Sequence, residues 1–175
     1  MEAYLTLIVT CVGSRETPDN ILFLAEQIAS EIAKFGGYCR SGHADGFDYY
    51  SERGARERCI IYLPWKDFNS DLPLLGKSRV IEYNDKLDQL VRAHHPAYSS
   101  LKDSVKRLMG RNCAQVLGES LDKPTSAVVC WTPNGELVGG TSFAMRLAIA
   151  NKIPIYNLYK KENQDFKKLC AKIFI

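Results

Sequence analysis

Leu5-Thr6-Leu7-Ile8-Val9-Thr10-Cys11-Val12 is apolar almost throughout and runs directly into Gly13-Ser14-Arg15. A strand wetted on one side alternates apolar and polar residues, whereas an unbroken apolar run bounded by glycine is the pattern of a strand covered on both faces. Thr17-Pro18 then supplies an N-cap and a first-turn proline. Ile21, Leu24, Ala25, Ile28, Ile32 and Phe35 recur at helical spacing until Gly36-Gly37 stops the helix.

The same strand, glycine turn and helix return along the chain. A short strand is expected over Tyr38–Arg40, a helix over Phe47–Glu57, and a third strand over Cys59–Leu63, ending at Pro64-Trp65. Phe68–Lys77 reads as loop, Val80–Tyr83 as a short strand and Asp85–Arg92 as helix. Ala97–Leu117 is the longest helical pattern, with Leu101, Val105, Leu108, Val116 and Leu117 on one side. Ser126–Trp131 is again a buried-strand run; after the turn at Pro133-Asn134-Gly135, Gly139-Gly140-Thr141 opens a helix through Ala150. Ile153–Leu158 and Gln164–Ile173 read as a last strand and a last helix. Strands alternating with helices on short connections predict an α/β fold: a three-layer sandwich with a mostly parallel sheet and helices on both faces. Residues 1–175 are expected to form one domain, since 175 residues suit a single core and no linker or repeat interrupts them.

Composition narrows the class further. Hydrophobic residues make up 46% and charged residues 25%, and 23 Lys and Arg against 20 Asp and Glu leave a net charge of only +3. That surplus does not point to nucleic acid or a membrane surface as a partner. Six cysteines stand at 11, 39, 59, 113, 130 and 170 without a CxxC pair or a histidine at ligand spacing, so neither a disulfide framework nor a metal site is expected. Cys11, Cys59 and Cys130 lie inside apolar runs, where a thiol acts as a small hydrophobe. No apolar stretch approaches the roughly 20 residues of a membrane span, and the opening segment lacks a positive leader, so a cytoplasmic location is expected.

Three loops carry the candidate chemistry: Gly13-Ser14-Arg15, Ser41-Gly42-His43-Ala44-Asp45-Gly46 and Gly139-Gly140-Thr141. Each follows a strand and precedes a helix. In a parallel sheet such loops gather at the carboxyl edge, where ligands bind near the topological switch point. Glycine admits an anion close to the backbone, and the following helix N-terminus points its N–H groups at it. Arg15 adds a bidentate donor suited to phosphate. On the long helix Arg107, Arg111 and Gln115 form a stripe at i, i+4, i+8 beside Asn112, either gripping a phosphate or base edge or forming a solvated face. Tyr62, Trp65 and Trp131 end strands at the same edge, where they would stack on a base or pack in the core. Asp48 and Glu52 lie four apart on one helix face and are the candidate catalytic carboxylates; the competing reading makes Asp45 and Asp48 capping residues and pairs Glu52 with Arg56.

VGSRETP (12–18), RSGHADGFDYYSERGA (40–55) and WTPNGELVGGTSFAMRLAIANKIPIYNL (131–158) resemble the SLOG superfamily of Rossmann-like nucleotide-binding proteins, which includes DNA-processing protein A and the LONELY GUY phosphoribohydrolases. HHPAYSSLKDSVKRLMGRNCAQVLG (94–118) is similar to the central helix of small stand-alone members found in phage genomes. The resemblance spans roughly Leu5–Leu158 and implies a Rossmann-like sandwich; no cofactor is expected. It puts Gly13, Ser14, Arg15, Gly42, Asp45, Asp48, Gly139, Gly140 and Thr141 on ligand-facing motifs, to which the residue chemistry adds Ser41, His43, Arg111, Asn112 and Trp131.

One departure bears on function. The phosphoribohydrolases follow their glycine stretch with a catalytic glutamate, whereas here the helix continues Ser142-Phe143-Ala144-Met145. Without that carboxylate nothing at this position stabilises a developing oxocarbenium ion. The expected function is therefore binding of a nucleotide or nucleotide-derived small molecule, in a role such as sensing or sequestering a signal of host defence. The alternatives are N-glycosidic hydrolysis of nucleoside monophosphates through Asp48 or Glu52, and single-stranded DNA binding. The apolar end, Lys172-Ile173-Phe174-Ile175, either caps the core or meets a second chain, and a homo-oligomer is expected.

Overall fold

The computed structural model describes residues 6–175. The first strand, β1, spans Ile8–Gly13, and Leu5, its expected start, lies outside the described residues. It is followed by α1 (Asp19–Lys34), β2 (Tyr38–Ser41), α2 (Phe47–Ala55), β3 (Cys59–Leu63) and β4 (Lys77–Val80). The second half runs α3 (Asp85–His94), α4 (Asp103–Leu117), β5 (Ala127–Trp131), α5 (Thr141–Ala150), β6 (Ile155–Asn157) and α6 (Phe166–Ile173). The six strands form one sheet in the order β4-β3-β2-β1-β5-β6, and every pairing is parallel. Register is fixed by pairs such as Val9 with Cys39 and Cys11 with Val129. The chain has the expected Rossmann-like three-layer α/β architecture.

Both faces of the sheet are covered, which is why its strands read as continuous apolar runs. Along β5, Val129 and Trp131 join the core with Ile28, Ile32, Phe47 and Leu169 of α1, α2 and α6. Val128 and Cys130 point the other way, into the core with Val91, Val116, Phe143 and Leu147 of α3, α4 and α5. All six cysteines are free and buried. Cys11, Cys39 and Cys59, on β1, β2 and β3, lie in the first of these cores. No helix of the described residues is long and apolar enough to cross a membrane.

Several boundaries differ from the sequence reading. The fourth strand is Lys77–Val80, not Val80–Tyr83. Its four residues are exposed on the sheet edge, so no apolar pattern marks them, while the Ile81 N–H still donates to the Leu63 carbonyl at 2.8 Å. The expected helix over Ala97–Leu117 divides into a short 3₁₀ turn at Tyr98–Ser100 and α4, because Leu101 and Lys102 are extended. Thr17 does not cap α1; its hydroxyl donates to the Ser14 carbonyl at 2.6 Å, which tightens the first glycine loop. Helix α2 stops at Ala55, since Arg56 takes a positive φ of 50°. Helix α6 begins at Phe166, where Asp165 accepts from the Lys168 N–H.

Candidate functional site

The sheet reverses its winding at β1, whose neighbours are β2 and β5. Such a switch point leaves a crevice beyond the carboxyl ends of the strands, because the flanking helices lie on opposite faces. A crevice of about 520 Å³ opens there, within the roughly 300–1,000 Å³ usual for small-molecule sites. Gly13, Ser14 and Arg15 line it from the end of β1, and Gly139, Gly140 and Thr141 from the start of α5. Asp48 of α2 and Arg111 and Asn112 of α4 complete the polar wall.

Each loop is held by its own hydrogen bonds. The Ser14 N–H donates to the Trp131 carbonyl at 3.1 Å, joining the ends of β1 and β5, and the Ser14 hydroxyl oxygen accepts from Glu16 N–H. Asp48, 1% exposed, accepts from the Gly13 N–H at 3.1 Å and the Gly42 N–H at 3.0 Å, so one carboxyl group ties the first two loops together. Burial pushes this carboxyl up to about 6, against the pull of the Arg111 charge and the two N–H donors. Arg111 is 6% exposed, donates to the Gly42 carbonyl and lies 5.5 Å over the Phe68 ring. Burial holds its guanidinium below the ordinary arginine value, Asp48 and Glu52 oppose that, and Arg15 reinforces it. A Cβ at residue 42 would overlap the Arg111 guanidinium and the Gln115 amide, so a side chain there must displace them.

The third loop is different. Gly139 takes a positive φ of 67°, which suits glycine. Gly140 has helical dihedrals (φ −63°, ψ −31°), and a Cβ added there would meet nothing within 4 Å. Nothing within the fold itself demands glycine at 140. The Asn112 side-chain amide donates to the Gly140 carbonyl at 3.3 Å, which leaves its buried Oδ1 without a protein partner at the crevice wall.

The remaining candidates lie elsewhere. Ser41 and His43 are buried behind the crevice with Glu52, which is fully buried. Glu52 accepts from the Ser41 hydroxyl at 2.7 Å and faces His43 Nδ1 at 2.9 Å; it makes no pair with Arg56. His43 Nε2 faces the Leu72 carbonyl at 3.3 Å, so both ring nitrogens meet acceptors. Burial lowers the imidazole pKa, and the Glu52 hydrogen bond and charge outweigh it, leaving His43 above its ordinary value. Asp45 is exposed and accepts from the Gly46 N–H. Of the α4 stripe, Arg107 is exposed while Arg111 and Gln115 are buried, so the stripe runs from solvent into the core.

Trp131 is buried with its ring toward Tyr159, Tyr62 is buried in the α3–α4–α5 core, and Trp65 packs edge-on against Phe68. The aromatic ring that lines the crevice is Phe68, on the irregular connection after β3. The positive φ angles at Asp67 (63°) and Asn69 (49°) set its course, and aspartate and asparagine tolerate that region better than most residues. That Asp-Phe-Asn triplet was the available signal. Among the described residues no three histidine, cysteine or carboxylate side chains gather for a metal ion.

No family model matches the chain, and no curated protein matches it. Solved structures share its fold at low identity. DNA processing protein A from Helicobacter pylori, described for its single-stranded DNA binding mode, superimposes with a TM-score of 0.66 at 16% identity, over 96% of this chain and 80% of that one. Two structures of the molybdenum cofactor carrier protein of Chlamydomonas reinhardtii give TM-scores of 0.52 and 0.50 at 18% and 15% identity. They cover 97% and 87% of this chain, and 87% and 76% of those proteins.

Proposed function

We propose that the chain binds an anionic, nucleotide-derived small molecule in the crevice between β1 and β5. The observation that carries this reading is Gly140: a glycine that the fold does not need, at the N-terminus of α5, with open space where a side chain would stand. A phosphate fits there because the helix N-terminus offers N–H donors and a favourable dipole. Arg15, Arg111 and the free Asn112 Oδ1 line the same crevice, adding two cations and one acceptor. Both the nucleic-acid binder and the cofactor carrier of the same fold are in keeping with a nucleotide-like ligand.

Holding or sensing the ligand is favoured over cleaving it. Both Asp48 oxygens are engaged by backbone N–H groups, Glu52 is turned into the His43 network, and the first turn of α5 carries no carboxylate. On the resemblance to small phage-type members, the ligand we favour is a signalling nucleotide.

A thermal-shift screen of mono-, di- and cyclic nucleotides tests the reading, since a ligand of the native state raises the melting temperature by mass action. At least one should do so, and Arg15→Ala should abolish the shift without changing the melting temperature of the free protein. No shift with any nucleotide, or an unchanged one in Arg15→Ala, sinks it. The second reading, single-stranded DNA binding, is favoured by the likeness to DNA processing protein A and by exposed Lys102, just before α4, and Arg107 on it.

A further inference from the structure

The connection between β3 and β4 has to return across the sheet edge to make two parallel strands, and it does so without a helix of its own. It is pinned to the second glycine loop instead. The Asn69 side-chain amide donates to the His43 carbonyl at 2.8 Å, and the Leu72 carbonyl meets His43 Nε2. Immediately before the first of these ties Phe68 turns inward, 8% exposed.

Phe68 lines the crevice, and it also lines a second cavity of about 440 Å³ on the far side of the connection. One ring therefore separates two openings. The second is apolar within, through Leu63, Leu72, Leu74 and Val80. Leu74 and Val80 are 48% and 47% exposed, two apolar side chains left open to solvent on the same cavity. Its mouth carries Lys66 and Asp67, a donor and an acceptor side by side, with the hydroxyls of Ser70 and Ser78. His43 forms part of the wall but offers nothing, because both its ring nitrogens already have partners.

An aliphatic tail would use the apolar walls and leave the Lys66–Asp67 rim idle. A bare anion would use Lys66 and be repelled by Asp67. A flat ring with donor and acceptor atoms along its edge uses both features: apolar walls, Phe68 among them, and polar side chains that give and take hydrogen bonds.

We propose that this second cavity is a subsite for a planar heteroaromatic ring, and that the ligand straddles Phe68 with its anionic end in the crevice and its ring against Leu74 and Val80. The inference rests on the crevice being the anion end, and it adds where the base goes, which none of Tyr62, Trp65 or Trp131 provides.

Methyl-labelled protein titrated with adenosine, guanosine, cytidine and uridine, none of which carries phosphate, tests the ring subsite alone. At least one nucleoside should shift the methyl signals of Leu72, Leu74 and Val80 and leave that of Ile149, exposed on α5, in place. Leu74→Asp, checked for native secondary structure by circular dichroism, should weaken that binding at least tenfold, and Val80→Asp should do the same. No shift with any of the four, shifts confined to Val12 and Val138 of the crevice, or unchanged affinity in both variants overturns the proposal. A parallel titration with inorganic pyrophosphate reports on the crevice. If it moves neither Val12 nor Val138, the crevice reading fails by itself, whatever the nucleosides do.

Discussion

The guanidinium of Arg111 occupies the space that a side chain at Gly42 would need, and it donates to the Gly42 carbonyl. A cation on α4 is thereby seated at the end of β2, over Phe68 and within the electrostatic reach of Asp48 and Glu52. Gly42→Ala should evict it. Overpacking of this kind costs about 1–3 kcal/mol, so chemical denaturation should show a loss in that range. Nucleotide affinity should fall at least tenfold, because the displaced arginine no longer faces the crevice. A variant as stable and as tight-binding as the parent would show that Arg111 has room to spare.

Gly140→Ala separates fold from ligand with the opposite sign. Its dihedrals suit alanine and its Cβ meets nothing. Replacing a glycine in a compatible conformation stabilises a protein by roughly 0.4–1 kcal/mol, chiefly through the unfolded chain. The melting temperature of the free protein should rise slightly while the nucleotide-induced shift shrinks or disappears. A gain in stability with undiminished binding would remove the observation on which the proposed function stands.

The pH dependence of stability follows from two buried groups. Asp48 is displaced from an ordinary 3.8 to about 6, so the native state holds its proton more tightly than the unfolded chain does. Its stabilising contribution is complete below pH 4 and is lost as the pH climbs to about 6. At about 1.4 kcal/mol per pH unit that loss is on the order of 3 kcal/mol. His43, also raised, extends the decline above its ordinary 6.5. The denaturation midpoint should fall steadily from pH 4 to pH 7.5, and Asp48→Asn should flatten the lower part of that slope. A midpoint that rises between pH 4 and 6 would contradict the sign.

Glu52 serves the fold. Removing the Glu52 carboxyl leaves the buried Ser41 hydroxyl and His43 Nδ1 without their partner, and each unsatisfied buried group costs about 1–3 kcal/mol, so Glu52→Ala should be severely destabilised and Glu52→Gln less so. Chromatography of nucleoside monophosphates incubated with the parent protein should show no free base over hours. Steady base release that disappears in Asp48→Asn would make this chain a hydrolase.

Single-stranded DNA is expected to bind weakly and to let go near physiological salt, since backbone contacts through few cations have a shallow reserve against counterion competition. Fluorescence anisotropy against salt concentration measures this. Tight binding at physiological salt, reduced by Arg107→Ala, would favour the DNA reading.

Apolar runs made most of the sheet legible: β1, β3 and β5 are covered on both sides, and their sequences show it. The exposed β4, Lys77-Ser78-Arg79-Val80, has no burial to write into its sequence, so it lies three residues before the apolar run that suggests a strand. The glycine loops were recognisable because backbone turns leave a local signature, and residues from all three line the crevice. What each side chain faces was not legible. Glu52 reads as a helix-surface residue until His43, nine positions earlier, closes over it. Phe68 gains its place only from a connection whose course is set by His43, Asn69 and Leu72.

The six buried thiols give the molecule a chemical clock. Burial pushes Cys113 and Cys130 up to about 12, far from the thiolate that reacts with alkylating reagents. Any labelling at neutral pH therefore counts openings of the structure rather than encounters with its surface. Cys170, 9% exposed on the terminal helix, should mark the first opening, and Cys39, Cys59 and Cys130, fully buried in three strands of the sheet, the last. Their order of modification would record how the layers come apart without any added probe.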